Sequence, residues 1–182
     1  MLTYNHSVLT NNGSWLTDGS VAPPVPSDEV TIGTQTWKKS NLKVDDGQGG
    51  IVSYHIGIVN GFDYGTRYYY NRDAAERIAG NIQGWHLPSK AEWETLCSYG
   101  LSNIKSSTGW NSNNGTDIYG FTLTPDGLAN TTEVQKVGEY GYYWTSTHKD
   151  TYNYFLYCYM EDTSAVFGYS NSTYYAVRLI KD

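Results

Sequence analysis

Two hydrophobic periods follow one another along the chain, and the changes of period mark its elements. "EVTIGTQTWKKSNL" sets Val30 and Ile32, then Thr34 and Thr36, on one face before Trp37. That period of two predicts a strand with a turn at or just after Ile32 and Gly33. "DDGQGG" reads as a loop, and "IVSYHIGIVN" from Ile51 predicts a second strand. At "YYYNRDAAERIAGNIQG" the period becomes helical, with Ala74, Ala75, Ile78 and Ala79 on one stripe, Asn71 as N-cap and Gly80 as the stop. "HLPSKAEWETLCSYG" then carries a capping box, Ser89 with Glu92, and a stripe of Trp93, Leu96 and Cys97 before Gly100. Helices are thus expected over 71–79 and 89–99, packing through Ala75, Ile78, Trp93 and Leu96. Residues 109–138 read as long loops with one short strand and turn in "YGFTLTPDGL". After Tyr142 come strand patterns: "NYFLYCYM", "SAVFGYS" and "YYAVRLIKD". Two helices on a small, mostly antiparallel sheet with long loops is an α+β layout.

The last strands are unusual in what they alternate. Leu156, Cys158 and Met160 share one face, suited to a core, and Phe155, Tyr157 and Tyr159 the other. Val166 and Gly168 alternate with Phe167 and Tyr169, and Val177 and Leu179 form the expected inward pair of the final strand. The aromatic side chains are therefore expected on one side, with Asn153, Ser170, Asn171, Ser172 and Thr173 in loops beside them. Tyr, Ser, Gly and Asn are the chemistry of antibody loops: large rigid contact area, few rotamers to freeze and adaptable hydrogen bonds.

Composition narrows the classes. The length of 182 residues suits one domain. "VAPPVPSDE" reads as a Pro-rich linker, so 1–28 is an N-terminal segment and 29–182 the domain. Only 16% of residues are charged, leaving a neutral polar surface of the kind found on extracellular or virion proteins. A net charge of −6 argues against a nucleic-acid partner. No apolar run is long enough for membrane insertion, and the first residues lack the basic and apolar regions of a secretory signal, so no signal peptide is expected in this chain. Cys97 and Cys158 read as buried free thiols, and His6, His55, His86 and His148 are scattered without metal-ligand spacing. His86 reads as hydrogen-bonded scaffold, and Asp45, Asp46, Glu161 and Asp162 as solvated loops. No cofactor, metal or enzymatic activity is expected.

Several segments carry a resemblance, in order: "IGTQTW…NL" from Ile32, "YYN…A" from Tyr69, "GWHLPSKAEWETL" from Gly84, "DIYGF" from Asp117, "YYWTST" from Tyr142 and "AVRLIKD" from Ala176. Together they resemble the Fibrobacter succinogenes major paralogous domain over roughly 29–182. The resemblance implies a C-type lectin-like fold of the formylglycine-generating-enzyme-like branch, with an exposed C-terminal binding face. Many such domains carry a cysteine before GWHLP and another in the last strand. Here those places fall near Asn81 and at Leu179, which implies folding without that disulfide. The same fold is used by the variable proteins of diversity-generating retroelements, in which adenine mutagenesis enriches Asn, Tyr, Ser, Thr, Asp, His and Phe. A variable region of about 144–180 follows, with His148, Tyr152, Asn153, Phe155, Tyr157, Tyr159, Phe167, Tyr169, Asn171, Ser172 and Tyr174 as the candidate ligand-binding residues. The implied role is ligand or receptor binding, on a phage tail or a bacterial cell surface, toward a macromolecule (protein or glycan) on a host or target cell, with oligomer formation open. An undiversified surface adhesin is the alternative. A calcium-dependent lectin would need EPN, QPD or WND motifs, which the sequence lacks.

Overall fold

The computed structural model of the chain describes residues 8–9, 15–16, 27–149, 152–159, 166–170 and 172–182. Val8–Leu9 pairs with Trp15–Leu16 in a short antiparallel ladder. Thereafter come β1 (Glu29–Ile32), β2 (Gln35–Lys38), β3 (Ile51–His55), β4 (Thr66–Tyr70), α1 (Arg72–Ala79), β5 (Trp85–His86), α2 (Lys90–Cys97), α3 (Leu101–Ile104), β6 (Tyr140–Lys149), β7 (Tyr152–Tyr159), β8 (Val166–Ser170) and β9 (Ile180–Lys181). The class is α+β. One antiparallel sheet has the order β1–β2–β9–β5, a second β6–β7–β8, and β3 pairs with β4 alone.

Local chemistry sets most of these boundaries. The β1–β2 hairpin turns at Gly33, whose φ of +60° suits the first central position of a two-residue turn. A Cβ there would also lie 1.9 Å from the Tyr99 hydroxyl oxygen. Asn71 caps α1 by accepting a hydrogen bond from the Ala74 amide, 2.9 Å, and Gly80 follows its last residue. Ser89 and Glu92 form the capping box of α2. Two features depart from expectation. Thr66–Tyr70 is a strand, not a lead-in to α1, because Ile51–His55 offers it a partner ladder. Loop 109–138 contributes to the core: Trp110, Phe121 and Leu123 are buried, and "TLTPDG" is almost wholly enclosed.

The core is two clusters separated by the segment that leads into β9. Trp37, Trp93, Leu96, Phe121, Tyr143 and Leu156 belong to the first, and Tyr70, Ala75, Ile78, Trp144 and Leu87 to the second. The intervening segment serves both. Ala176 and Ile180 enter the first cluster, and Tyr175, Val177 and Leu179 the second. Val177 and Leu179 do point inward as expected, but their neighbours are buried as well, because neither face of this segment meets solvent.

Arg178 falls among these residues and is fully buried. Its Nε donates to Asn41 Oδ1 at 2.8 Å, Nη1 to the carbonyls of Lys38, Lys39 and Phe121, and Nη2 to that of Thr122 at 3.1 Å. The guanidinium lies 4.6 Å from the Phe121 ring centroid. Burial pulls its pKa below the ordinary guanidinium value, although an arginine stays charged in proteins.

Trp93 is the centre of the first cluster, with ring centroids of Trp37 at 4.9 Å and Tyr143 at 5.5 Å, and its Nε1 donates to the Trp144 carbonyl at 3.3 Å. Trp93→Ala is expected to cost about 3–5 kcal/mol in denaturant melts; an unchanged midpoint would take Trp93 out of the core. His86 joins two elements: Nε2 meets Glu92 Oε1 at 2.9 Å and Nδ1 meets Asp182 Oδ1 at 2.7 Å. Partial burial lowers its pKa, but Glu92 and then Asp182 outweigh that, and the net shift is upward. The stabilisation is therefore fully present below the unfolded value of ~6.5 and fades as pH rises through the folded value. With the ring 39% exposed, screening limits the effect to about half a kcal/mol. Melts at about pH 6 and about pH 8.5 are expected to show that loss in the natural chain and not in His86→Gln. Parallel pH profiles for the two would remove His86 from the linkage.

Candidate binding face

The sheet β6–β7–β8 has two unlike faces, and the ladder register shows why. Tyr140, Tyr142 and Trp144 of β6 stand opposite Tyr159, Tyr157 and Phe155 of β7, while Gly141 and Tyr143 stand opposite Cys158 and Leu156. Successive residues of a strand point to opposite faces, so one face is entirely aromatic across these two strands. Its rings touch in series. Tyr140 lies 4.7 Å from Tyr159 and 5.3 Å from Tyr142, and Tyr142 lies 6.2 Å from Tyr157 and 5.9 Å from Phe155.

Burial grades along this ladder. Trp144 is fully buried, and its Nε1 donates to the Tyr70 carbonyl at 2.7 Å. Tyr175, also buried, stacks on Tyr142 at 5.3 Å with planes 15° apart. Phe155 lies over Gly168 of β8, where an added Cβ would come within 2.6 Å of its ring; the glycine makes room and the ring covers the exposed backbone. Tyr140, Tyr142, Tyr157 and Tyr159 are half-buried at the outer end. Burial, then the neighbouring Tyr140, pushes the Tyr142 pKa upward, so its hydroxyl is a neutral donor and acceptor at physiological pH.

The opposite face packs inward. Leu156 and Cys158 are buried there as expected. Phe167 is paired with Leu156 and packs against the first core cluster, with Lys90 Nζ 4.8 Å from its ring. This corrects the expectation that Phe167 joins Tyr157 and Tyr159. Alternation within each strand is right, but the register of β8 against β7 puts Val166 and Gly168 on the tyrosine side.

The remaining candidates lie at the rim. His148 is exposed, and its Nε2 is 3.1 Å from Glu76 Oε1 and 3.0 Å from Arg72 Nη2, beyond a register shift that follows Trp144. It is tied to α1, not to the ring ladder. Asn153 is half-buried between His148 and Ser170 in register. Ser172 is exposed, and Tyr174 is half-buried and bridges to Ala129 through its backbone. Tyr152 and Tyr169 are placed by backbone pairing with Lys149 and Tyr154. Asn171, Met160, Glu161 and Asp162 lie outside the described residues. Tyr140, Tyr142 and Tyr175 were not among the candidates. The alternation in "YGYYW" was a usable signal for the first two; Tyr175 is found only through the tertiary contact.

"WTST" has a structural explanation. Besides the Trp144 bond, Thr145 Oγ1 donates to the Tyr154 carbonyl, the Ser146 amide to the Pro88 carbonyl at 2.7 Å, and Thr147 Oγ1 accepts from the Lys90 amide at 2.9 Å. It thus fastens β6 to the start of α2. Among the described residues no group of three or more His, Cys, Asp or Glu side chains could hold a metal ion, and no helix is long and apolar enough to cross a membrane. Burial pushes the Cys97 thiol up to about 12, which leaves it protonated and unreactive at neutral pH.

The sequence profile of the Fibrobacter succinogenes major domain matches residues 30–181. The chain belongs to that family. No curated protein and no solved structure matches it. The match takes in both the GWHLPS segment and WTST, the two stretches that this member of the Fibrobacter succinogenes major domain family joins by hydrogen bonds at Pro88 and Lys90.

The two faces separate by stability. Phe167→Ala is expected to cost about 2 kcal/mol, since it removes a ring from a core contact, whereas Tyr157→Ser is expected to cost about 0.5 kcal/mol. Urea midpoints in the reverse order would mean the register of β8 is shifted by one residue.

Proposed function

We propose that this chain is a ligand- or receptor-binding protein that works through the tyrosine ladder of β6 and β7. The observation that carries the reading is the row of half-buried rings, Tyr140, Tyr142, Tyr157 and Tyr159, backed by buried Trp144 and Tyr175. Rings held on paired strands offer wide contact area with little rotamer freedom left to lose. Neutral hydroxyls add hydrogen bonds without a charge to desolvate. Such a face suits a macromolecule on a host or target cell surface, protein or glycan.

Within this proposal the domain has a C-type lectin-like fold of the formylglycine-generating-enzyme-like branch, and its tail is the variable region of a diversity-generating retroelement, carried on a phage tail or a bacterial surface. Supporting this, Asn153, Tyr157, Tyr159 and Ser172 are not part of either core cluster, while Leu156 and Cys158 between them and Val177 after them are. Variation at the first set spares the second. A near-copy of the tail-coding DNA downstream, differing at adenines beside a reverse transcriptase gene, supports the diversified reading. Its absence favours an undiversified adhesin of the same family.

Labelled protein is expected to bind intact bacterial cells or an arrayed glycan. Replacing Tyr140, Tyr157 and Tyr159 together by Ser is expected to abolish that binding, at about 2 kcal/mol for a central aromatic, with the cooperative melt retained. Undiminished binding by the folded triple variant overturns the assignment of this face.

A further inference from the structure

One cleft of the domain shares no lining residue with the tyrosine ladder. This cleft, of about 210 Å³, is lined by Lys39, Asn41, Lys43, Phe62, Arg67 and Thr122, with Arg178 at its wall. The protein carries a net charge of −6, yet this cleft gathers four cations, Lys39, Lys43, Arg67 and Arg178, against one lining carboxylate, Asp63. Asp63 Oδ1 already accepts from the Gly65 amide at 2.9 Å.

The cations are only partly matched from within. Arg67 is 12% exposed and ion-paired, its Nε 3.1 Å from Asp126 Oδ2, but neither Nε nor the buried Asp126 Oδ1 makes an aligned hydrogen bond. Its other contacts are the ring faces of Tyr64 and Phe62 at 5.3 and 5.7 Å. Asp126 Oδ2 also accepts from Asn41 Nδ2 at 2.5 Å, and Asn41 Oδ1 accepts from Arg178. One buried carboxylate therefore faces two enclosed guanidiniums, directly in one case and through an amide in the other. Among the described residues Lys39 and Lys43 form no ion pair. Buried charge without hydrogen-bonded partners is costly, and a guanidinium with free N–H groups matches an oxyanion. The rim is strained as well. Thr122, a β-branched residue, has a φ of +57° and is pinned by Asp117, whose Oδ1 and Oδ2 accept from its amide and hydroxyl at 2.8 and 2.7 Å. Left-handed backbone in such a residue clusters at ligand sites.

We infer that this cleft binds an oxyanion: a carboxylate, sulfate or phosphate, free or borne by a small ligand of about one sugar ring. Lys39 and Lys43 draw the anion in, Arg67 donates to it, and Arg178 adds its charge from behind while its own hydrogen bonds stay with the backbone. The volume is below the roughly 300–1,000 Å³ of pockets for drug-sized ligands, which suits a single anionic group with one ring attached.

The test is a titration of the ¹⁵N-labelled full chain with sodium sulfate, phosphate, acetate and glucuronate, against sodium chloride at matched ionic strength. The Nε–H signals of Arg67 and Arg178 and the amides of Thr122 and Thr124 are followed by NMR. At least one oxyanion is expected to give saturable shifts that chloride does not. The double variant Lys39→Gln, Lys43→Gln is expected to weaken that binding about fivefold or more, with an unchanged melt, while Lys136→Gln leaves it as it was. Tighter binding of glucuronate than of acetate and the inorganic anions assigns the cleft to a sugar acid, and the reverse order to a free anion. Tyr157→Ser is expected to leave this titration unaltered, which separates the result from the tyrosine face. The inference is overturned if no oxyanion gives a saturable shift, or if the double variant titrates like the natural chain.

Discussion

The buried guanidinium of Arg178 is the interaction on which the rest of the domain depends. Its acceptors come from two stretches far apart in sequence: the end of β2 and the chain that follows it (Lys38, Lys39, Asn41), and the loop after α3 (Phe121, Thr122). Beyond Lys38 both stretches are irregular, so their carbonyls have no strand ladder to satisfy them. A buried carbonyl left without a donor costs as much as a lost hydrogen bond. One planar side chain with five donors serves them all. It can do so only because the segment that carries it is enclosed on both faces, which allows long stretches of loop to be built into a core.

The same enclosure explains how the sheet β6–β7–β8 keeps one aromatic face outward. Its inner face is closed by Leu156, Cys158 and Phe167 against α2 and the first cluster. Its outer face is anchored at one end by Trp144 and Tyr175, whose burial belongs to the second cluster. The tyrosines between are fixed by one another and by the strands. The scaffold and the surface thus draw on different residues of the same strands. That division is what a binding face needs if its chemistry is to change without loss of the fold.

Much of the local structure was legible in the sequence because its causes are local. Asn71, Gly80 and the Ser89–Glu92 box act within one helical turn, and the β1–β2 hairpin turns on a single glycine. What was not legible depends on pairing between distant segments. The β7 alternation was right, but which face β8 presents depends on its register, and a shift of one residue reverses every side chain; hence Phe167 was placed on the wrong side. Thr66–Tyr70 carries the Thr and Tyr of a strand, but three tyrosines in a row show no period of two, and the pairing with Ile51–His55 is what makes it one. Asn, Gly and Thr in 109–138 spell a loop correctly, but composition does not say that a loop is buried. The final segment matched a family motif, yet nothing in "AVRLI" shows that its arginine serves loops about sixty and 140 residues away.

The position of β9 between β2 and β5 has a consequence for synthesis. Among the described strands β2 lies near the start of the domain and β9 at its far end, so the central seam of that sheet closes only when both are available. Until then the β2 edge is open, Trp37 lacks its cover, and the loops that will meet Arg178 have no donor. Pairings this distant in sequence fold slowly, and open edges are the places where nascent chains aggregate. The domain therefore closes only after β9 has been made, and a chain halted before Arg178 leaves both the sheet edge and those loop carbonyls open.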